Sequence, residues 1–187
     1  MNRRLVLQAF AVALLARAGI APAQFMKKPA QKTPSVEDLQ HNWKKLLASD
    51  AKVATNLTPV VKSDDEWRKD LNPAAYDVLR HEGTEHPFTS PLNDEHRAGV
   101  FVCAGCALPL FTSAMKFDSG TGWPSYFTTI PDVFVVKTDH KLIVPRTEYH
   151  CAKCGGHHGH VFDDGPAPTG LRYCNNGVAL RFIPAQV

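Results

Sequence analysis

From Gly99 onward, apolar residues come in short runs that no helical period explains. They read "GVFVC", "VFVVKT", "KLIVPRTEYHC", "HVFDD" and "VALRFIP", separated by turns rich in Gly, Pro and Asp. Val, Phe, Ile and Thr dominate these runs, and no amphipathic helix of useful length occurs after residue 99. Before it, the period changes. In "KSDDEWRKDLNPAAYDVLRHEGTEHPF", Ser63 and Glu66 form a capping-box pattern, with Trp67 and Leu71 on one side of the helix that follows. Pro73 suits the first turn of a second helix, Tyr76 and Leu79 give it an apolar face, and Gly83 is placed to stop it. Further upstream, "SVEDLQHNWKKLLASD" reads as another helix: Ser35 caps, Asp38 follows three residues on, and Leu39, Trp43, Leu46 and Leu47 share a face. The pattern predicts a mainly β, mainly antiparallel domain over 62–184 behind a short helical preface.

The first residues, "MNRRLVLQAFAVALLARAGIAPAQ", follow a different logic. Arg3 and Arg4 make a positive start, Leu5 to Leu15 is apolar apart from Gln8, and Ala21-Pro22-Ala23 is a cleavage pattern before Gln24. Residues 1–23 are expected to be a signal peptide; a buried N-terminal helix is the alternative. The stretch is too short to span a bilayer stably, and Arg17 interrupts it, so no stable membrane insertion is expected after cleavage. The paired arginines also resemble a twin-arginine signal, although Asn2 stands where Ser or Thr is usual; general secretion remains open. Residues 24–61 then read as a linker, "QFMKKPAQKTPS", and a helical extension. The expected location is outside the cytoplasm, in the periplasm.

Length and charge narrow the classes. A chain of 187 residues, 44% hydrophobic and 21% charged, suits one domain with extensions. Its net charge of +3 is small, and much of the basic excess lies in Arg3, Arg4, Arg17, Lys27, Lys28 and Lys32. No basic face for nucleic acid is expected.

The five cysteines change the picture most. Cys103-x-x-Cys106 and Cys151-x-x-Cys154 have the two-knuckle spacing of a structural four-cysteine zinc site, in which each turn brings two sulfurs to one tetrahedral ion. With residues 107–150 between the pairs, the ion would clip distant hairpins together and its binding energy would count as folding energy. Two disulfides, or one redox-active pair, are the alternatives; export favours disulfides, but an odd count leaves one thiol over. That thiol is Cys174. It could be a small buried hydrophobe, yet Arg172 lies two residues away, where a cation lowers a thiol's pKa. Upstream, "GGHHGHVFDDGP" crowds His157, His158, His160, Asp163 and Asp164 together. A cysteine with separate histidines is a nucleophile arrangement.

"FDSGTGWPSY", "GHVFDDGPAPTGLRYC" and "LRFIP", with both C-x-x-C pairs in this order, resemble the B-type methionine sulfoxide reductases from about Lys62 to Pro184. The resemblance implies two antiparallel sheets, one structural zinc at Cys103, Cys106, Cys151 and Cys154, and reduction of the R epimer of methionine sulfoxide in oxidised proteins. It implies Cys174 as nucleophile and His160 as acid. His157 and Asn176 would hold the sulfoxide oxygen or a water, Asp164 and Arg172 would orient the cluster, and Trp123 would form the wall that receives the S-methyl. Three positions depart from the family pattern. Thr121 stands where many relatives carry a resolving cysteine, which implies recycling by an external thioredoxin-like thiol. Asn175 and His158 replace residues that are usually apolar, and so bring polarity near the site.

Two rivals follow from the same residues. A zinc-ribbon-like β binding module would need the four paired cysteines and nothing of the 157–176 cluster. A thiol–disulfide oxidoreductase would use one C-x-x-C pair and bind no zinc.

Overall fold

In the computed structural model the chain divides into Met1–Lys32 and Thr33–Val187; the structure describes residues 34–140 and 145–186. The expected signal peptide and the start of the linker lie outside the described residues, as does part of the run expected over 141–151.

The helical preface forms as its caps dictate. Ser35 and Asp38 make a capping box for α1 (Val36–His41), which yields to a 3-10 turn over Trp43–Leu46. Ser63 and Glu66 make another for α2 (Asp64–Asp70), and Asn72 caps α3 (Pro73–His81) with Pro73 in its first turn. Trp67, Tyr76 and Leu79 are buried. One detail differs from expectation: Glu82, not Gly83, takes the left-handed conformation that ends α3. A Cβ at Gly83 would lie 2.0 Å from the Asp77 carboxylate, which would have to swing aside.

Residues 34–61 pack on the domain. Leu39, Trp43, Ala54 and Val60 lie against the hydrophobic core. Ala54 N–H donates to Ala107 O, Val60 N–H to Lys153 O and Gln186 N–H to Leu46 O.

Among the described residues nine strands build two antiparallel sheets. β1 (Gly99–Cys103) runs between β2 (Pro109–Thr112) and β9 (Leu180–Pro184). The larger sheet has the order β3 (Lys116–Phe117), β4 (Ser125–Tyr126), β8 (Arg172–Asn175), β7 (His157–Phe162), β6 (Arg146–Cys151), β5 (Phe134–Asp139). Between the sheets lies an aromatic core: Phe111 stacks on Tyr126, and Phe134 meets Tyr149 edge-on. The apolar run over 178–184 predicts one strand. Its first part is instead a 3-10 turn, Gly177–Ala179, which carries the chain from β8 in one sheet to β9 in the other. Among the described residues no helix is long and apolar enough to cross a membrane.

Candidate active site and metal centre

The strand register places the solitary cysteine. Across the larger sheet Lys137, Glu148, His160, Cys174, Ser125 and Phe117 form one row of directly opposed residues. Cys174 therefore sits between His160 and Ser125. Side chains alternate along a strand, so Arg172 shares the face of Cys174 while Tyr173 and Asn175 point the other way, and the ring of Tyr173 indeed meets Tyr149 and Phe111.

His157 and His160 should by this alternation face opposite ways. They do not, because β7 carries one extra residue: Tyr149 and His150 are neighbours on β6, but their partners are Gly159 and His157. Such a bulge re-aims side chains. It turns the His157 ring to within 5.5 Å of the His160 ring and sends His158 into the core, against Phe134 and Tyr149. Gly159 fits there because a Cβ would meet Cys174 O at 2.0 Å.

Cys174, His160, Trp123, Phe162, Arg146 and Asn176 are among the residues that line a cavity of about 120 Å³. Trp123 is fixed edgewise by its indole N–H, which donates to Glu85 O at 3.1 Å. Glu85 also ties down the chain after Cys174: its carboxylate accepts from Gly177 N–H and Val178 N–H, and its own N–H donates to Asn176 Oδ1 at 3.0 Å. Asn176 in turn donates to His158 O at 3.0 Å. Its amide thus braces the loop, leaving one N–H for a ligand.

Arg172 and Asp164 form a bidentate pair, both bonds 2.8 Å, with the guanidinium over the Phe162 ring. Arg172 holds the Asp164 carboxyl below its usual range. Burial raises the Cys174 thiol above its ordinary value; the charge of Arg172 and hydrogen bonds from Thr121 and Arg172 pull it down without prevailing. The cation acts in the expected direction but does not win, since a desolvated thiolate costs more than a partly neutralised guanidinium returns.

Several residues of the candidate site carried no sequence signal. His160 Nε2 lies 2.9 Å from Asp139 Oδ2, and Arg146 donates to the same oxygen at 2.6 Å. Behind them, Glu148 bridges His150 (3.1 Å) and His157 (3.3 Å). Asp139, Arg146, Glu148 and Glu85 are ordinary charged residues in the linear chain; only strand register and loop contacts bring them to the site. The two departures, His158 and Asn175, are both buried: Tyr149 Oη donates to Asn175 Oδ1 at 3.0 Å, and Asn175 donates to Asn176 O. The His158 ring lies in the core, whereas Asn175, though its side chain is bonded to core neighbours, is also among the residues that line the cavity.

The four paired cysteines converge. Cys103 and Cys154 sulfurs are 3.6 Å apart, those of Cys106 and Cys151 3.5 Å, and all four lie within 4.8 Å of one another. That is far longer than the roughly 2.05 Å of a disulfide. Four sulfurs at about 2.3 Å from one tetrahedral ion would stand roughly 3.8 Å apart, so the cluster fits zinc with a small adjustment. The two knuckles have one geometry. After each second cysteine a residue takes positive φ, Ala107 at 59° and Gly155 at 69°, and its N–H donates to the carbonyl of the first cysteine. Cys103 ends β1 and Cys151 ends β6, so the cluster joins the two sheets.

Residues 71–184 match the SelR domain. The chain belongs to the SelR (MsrB) family. Over 138 residues it is 51% identical to a protein of Bradyrhizobium diazoefficiens named peptide methionine sulfoxide reductase MsrB, a match that covers 72% of this chain and 98% of that relative. Relatives of the same name from Leifsonia xyli, 52% identical, and Methanosarcina barkeri, 51% identical, match over 67% and 66% of this chain and 91% and 87% of their own lengths. The SelR domain begins inside the chain's helical preface, at the C-cap of α2, and ends with β9.

Proposed function

We propose that this chain reduces methionine R-sulfoxide in oxidised proteins, with Cys174 as nucleophile and His160 as the acid. The observation that carries the reading is the position of Cys174 directly opposite His160 at the wall of a cavity that Trp123 also lines. A sulfoxide presents a methyl, a polar oxygen and an electrophilic sulfur, and the cavity offers an aromatic wall, a proton donor and a thiol to match. A methyl on sulfur against an aromatic ring contributes roughly 0.3–1.5 kcal/mol.

The thiol attacks the sulfoxide sulfur, and the departing oxygen must gain a proton, since oxide itself cannot leave. The oxygen leaves as water, taking one proton from His160 and one from the thiol. A water then adds to the Cys174 sulfur and returns a proton to His160, the S–S bond breaks with its electron pair going to methionine, and Cys174 is left as a sulfenic acid. Asn176 has one N–H to offer the oxygen, and His157 stands behind His160. Cys174 is raised by burial, so the proton of the thiol is retained until substrate arrives, and Arg172 with Thr121 favours its loss once attack begins. A first external thiol then converts the sulfenic acid to a mixed disulfide with loss of water, and a second thiol frees Cys174. A thioredoxin-like donor outside the cytoplasm fits the export signal read in residues 1–23.

Cys103, Cys106, Cys151 and Cys154 would hold one structural zinc, which supplies folding energy and no chemistry to the substrate. The cavity with its thiol and histidine is what a mere zinc-ribbon binding module would lack.

The test is an assay of both sulfoxide epimers with wild type, Cys174→Ser and His160→Ala. Reduction of the R epimer alone, abolished in the serine variant, is expected. His160→Ala should slow turnover by about 10²–10⁴, the span of a general acid. A serine variant with a tenth of normal turnover would remove Cys174 from the nucleophile's place.

A further inference from the structure

We propose that Asp139 is a positioning residue for His160: it accepts a hydrogen bond from Nε2–H, holds the ring against the cavity wall and places the transferable proton on Nδ1. The proposal rests on the reading of His160 as the acid.

The strand that carries Asp139 gives the first argument. β5 is the edge of the larger sheet, and the four residues before Asp139, Val135 to Thr138, are exposed. Asp139 alone is buried, at 5% exposure. A carboxylate withdrawn from water at the end of a solvated strand must be paired to remain charged. Its Oδ2 accepts from Arg146 at 2.6 Å and lies 2.9 Å from His160 Nε2. Arg146 is its register partner on β6, so that pair alone could satisfy a structural carboxylate. Contact with His160, one strand further in, adds a function that the ion pair does not need.

Proton placement follows from the bond. A carboxylate accepts only, so Nε2 must carry hydrogen, and the neutral ring is the Nε2–H tautomer. When the ring is charged, both nitrogens carry hydrogen and the one not given to Asp139 is on Nδ1. Transfer from Nδ1 leaves the Nε2–H bond to Asp139 unbroken, so the ring does not turn over during the reaction.

Electrostatics supports the same role. The groups facing His160 are Asp139 from β5, Arg146 and Glu148 from β6, His157 from its own strand and Cys174 from β8. Burial lowers the ring's pKa below the usual histidine value and Arg146 adds to that; the hydrogen bond and charge of Asp139 oppose it, with Glu148 helping. Without Asp139, the acid would be still harder to protonate.

The test uses Asp139→Asn in the full chain, with two readouts. NMR of the His160 ring, assigned with His160→Ala, reads the resting protein directly. The wild type should show the Nε2–H tautomer, and the variant a lower ring pKa. Turnover should fall roughly 10–100-fold, as when a carboxylate that holds a metal-bound histidine is removed. The alkaline limb of the rate profile should move to lower pH, because the protonated acid is lost sooner as pH rises. In the His160→Ala background the same substitution should cost no further turnover, and Asp139→Glu should restore part of it. An unchanged ring pKa, or an equal loss in the His160→Ala background, would overturn the proposal. If the ring responds as expected but His160→Ala itself retains full turnover, the positioning stands as an effect on the ring and the acid reading fails.

Discussion

His157 and His160 lie three residues apart on one strand, yet their rings face the same side with centroids 5.5 Å apart. An unbroken strand would put them on opposite faces; the extra residue at His158 flips one of them. The bulge that assembles the histidine pair depends on Gly159, where a Cβ would lie 2.0 Å from Cys174 O. Gly159→Ala should therefore part β7 from β8 at Cys174. A loss of about 1–3 kcal/mol of stability is expected, the usual cost of forcing atoms into a packed site, with a larger proportional loss of activity. Urea unfolding of the variant checks the first, and turnover the second. A variant of full stability and activity would show that the backbone shifts at no cost.

The bulge also marks where the sequence stops being legible. Local signals read well: the capping boxes at Ser35 and Ser63, Pro73 in the first turn of α3, and the runs that form β1, β5 and β9. The spacing of the paired cysteines alone points to the metal cluster. β3 and β4 are two residues each, too short for any alternation to show. Asp139, Arg146, Glu148 and Glu85 look like solvated charges in the linear chain, because what brings them to the site is the strand or loop opposite. The Cys174 shift has the opposite sign to the expected one for a related reason. The sequence shows Arg172 nearby but neither the burial of the thiol nor the Asp164 carboxylate already bound to the guanidinium.

His158 supplies a pH prediction. Its ring is fully buried, and burial pushes its pKa down to about 4. The unfolded chain takes up a proton near pH 6.5, so between that value and about 4 the unfolded state binds more protons and stability rises with pH. Acidification from pH 6.5 should thus remove on the order of 3 kcal/mol through this residue, levelling off once the native ring also protonates. His158→Leu should abolish that component. Unfolding free energies of the two proteins, measured at several pH values, give it as a difference in which acid effects at the cysteine cluster cancel. Parallel curves would mean that His158 charges in the folded state without penalty.

The four-cysteine cluster should behave as a fastener between sheets. Replacement of Cys103, Cys106, Cys151 or Cys154 by Ser should release zinc and lower the melting temperature, with activity falling as the fold is lost. Zinc content and thermal unfolding are measured on the same sample. A variant that keeps its melting temperature while losing turnover would contradict a purely structural role.

Recycling should turn on Thr121 and Cys174. The Thr121 hydroxyl pulls the Cys174 pKa down, against the larger effect of burial, and it belongs to a chain of hydroxyls, 2.9 Å to Ser119 and from there 2.8 Å to Ser125. The position that would carry a resolving cysteine is thus already near Cys174, but holds an oxygen that cannot form a disulfide. The other four thiols are grouped at the ends of β1 and β6. After one turnover without reductant, mass spectrometry should find one sulfenic acid at Cys174, no intramolecular disulfide and zinc still bound. Thr121→Cys places a second thiol where the hydroxyl was. The same experiment should then yield a disulfide between that introduced thiol and Cys174, and faster turnover with a thioredoxin-like donor. Thr121→Val should instead raise the Cys174 pKa and slow its alkylation at neutral pH, since the thiolate loses a donor. A disulfide from Cys174 to any of the paired cysteines in the wild type would make a zinc ligand the resolving thiol, and would replace external recycling with an internal route.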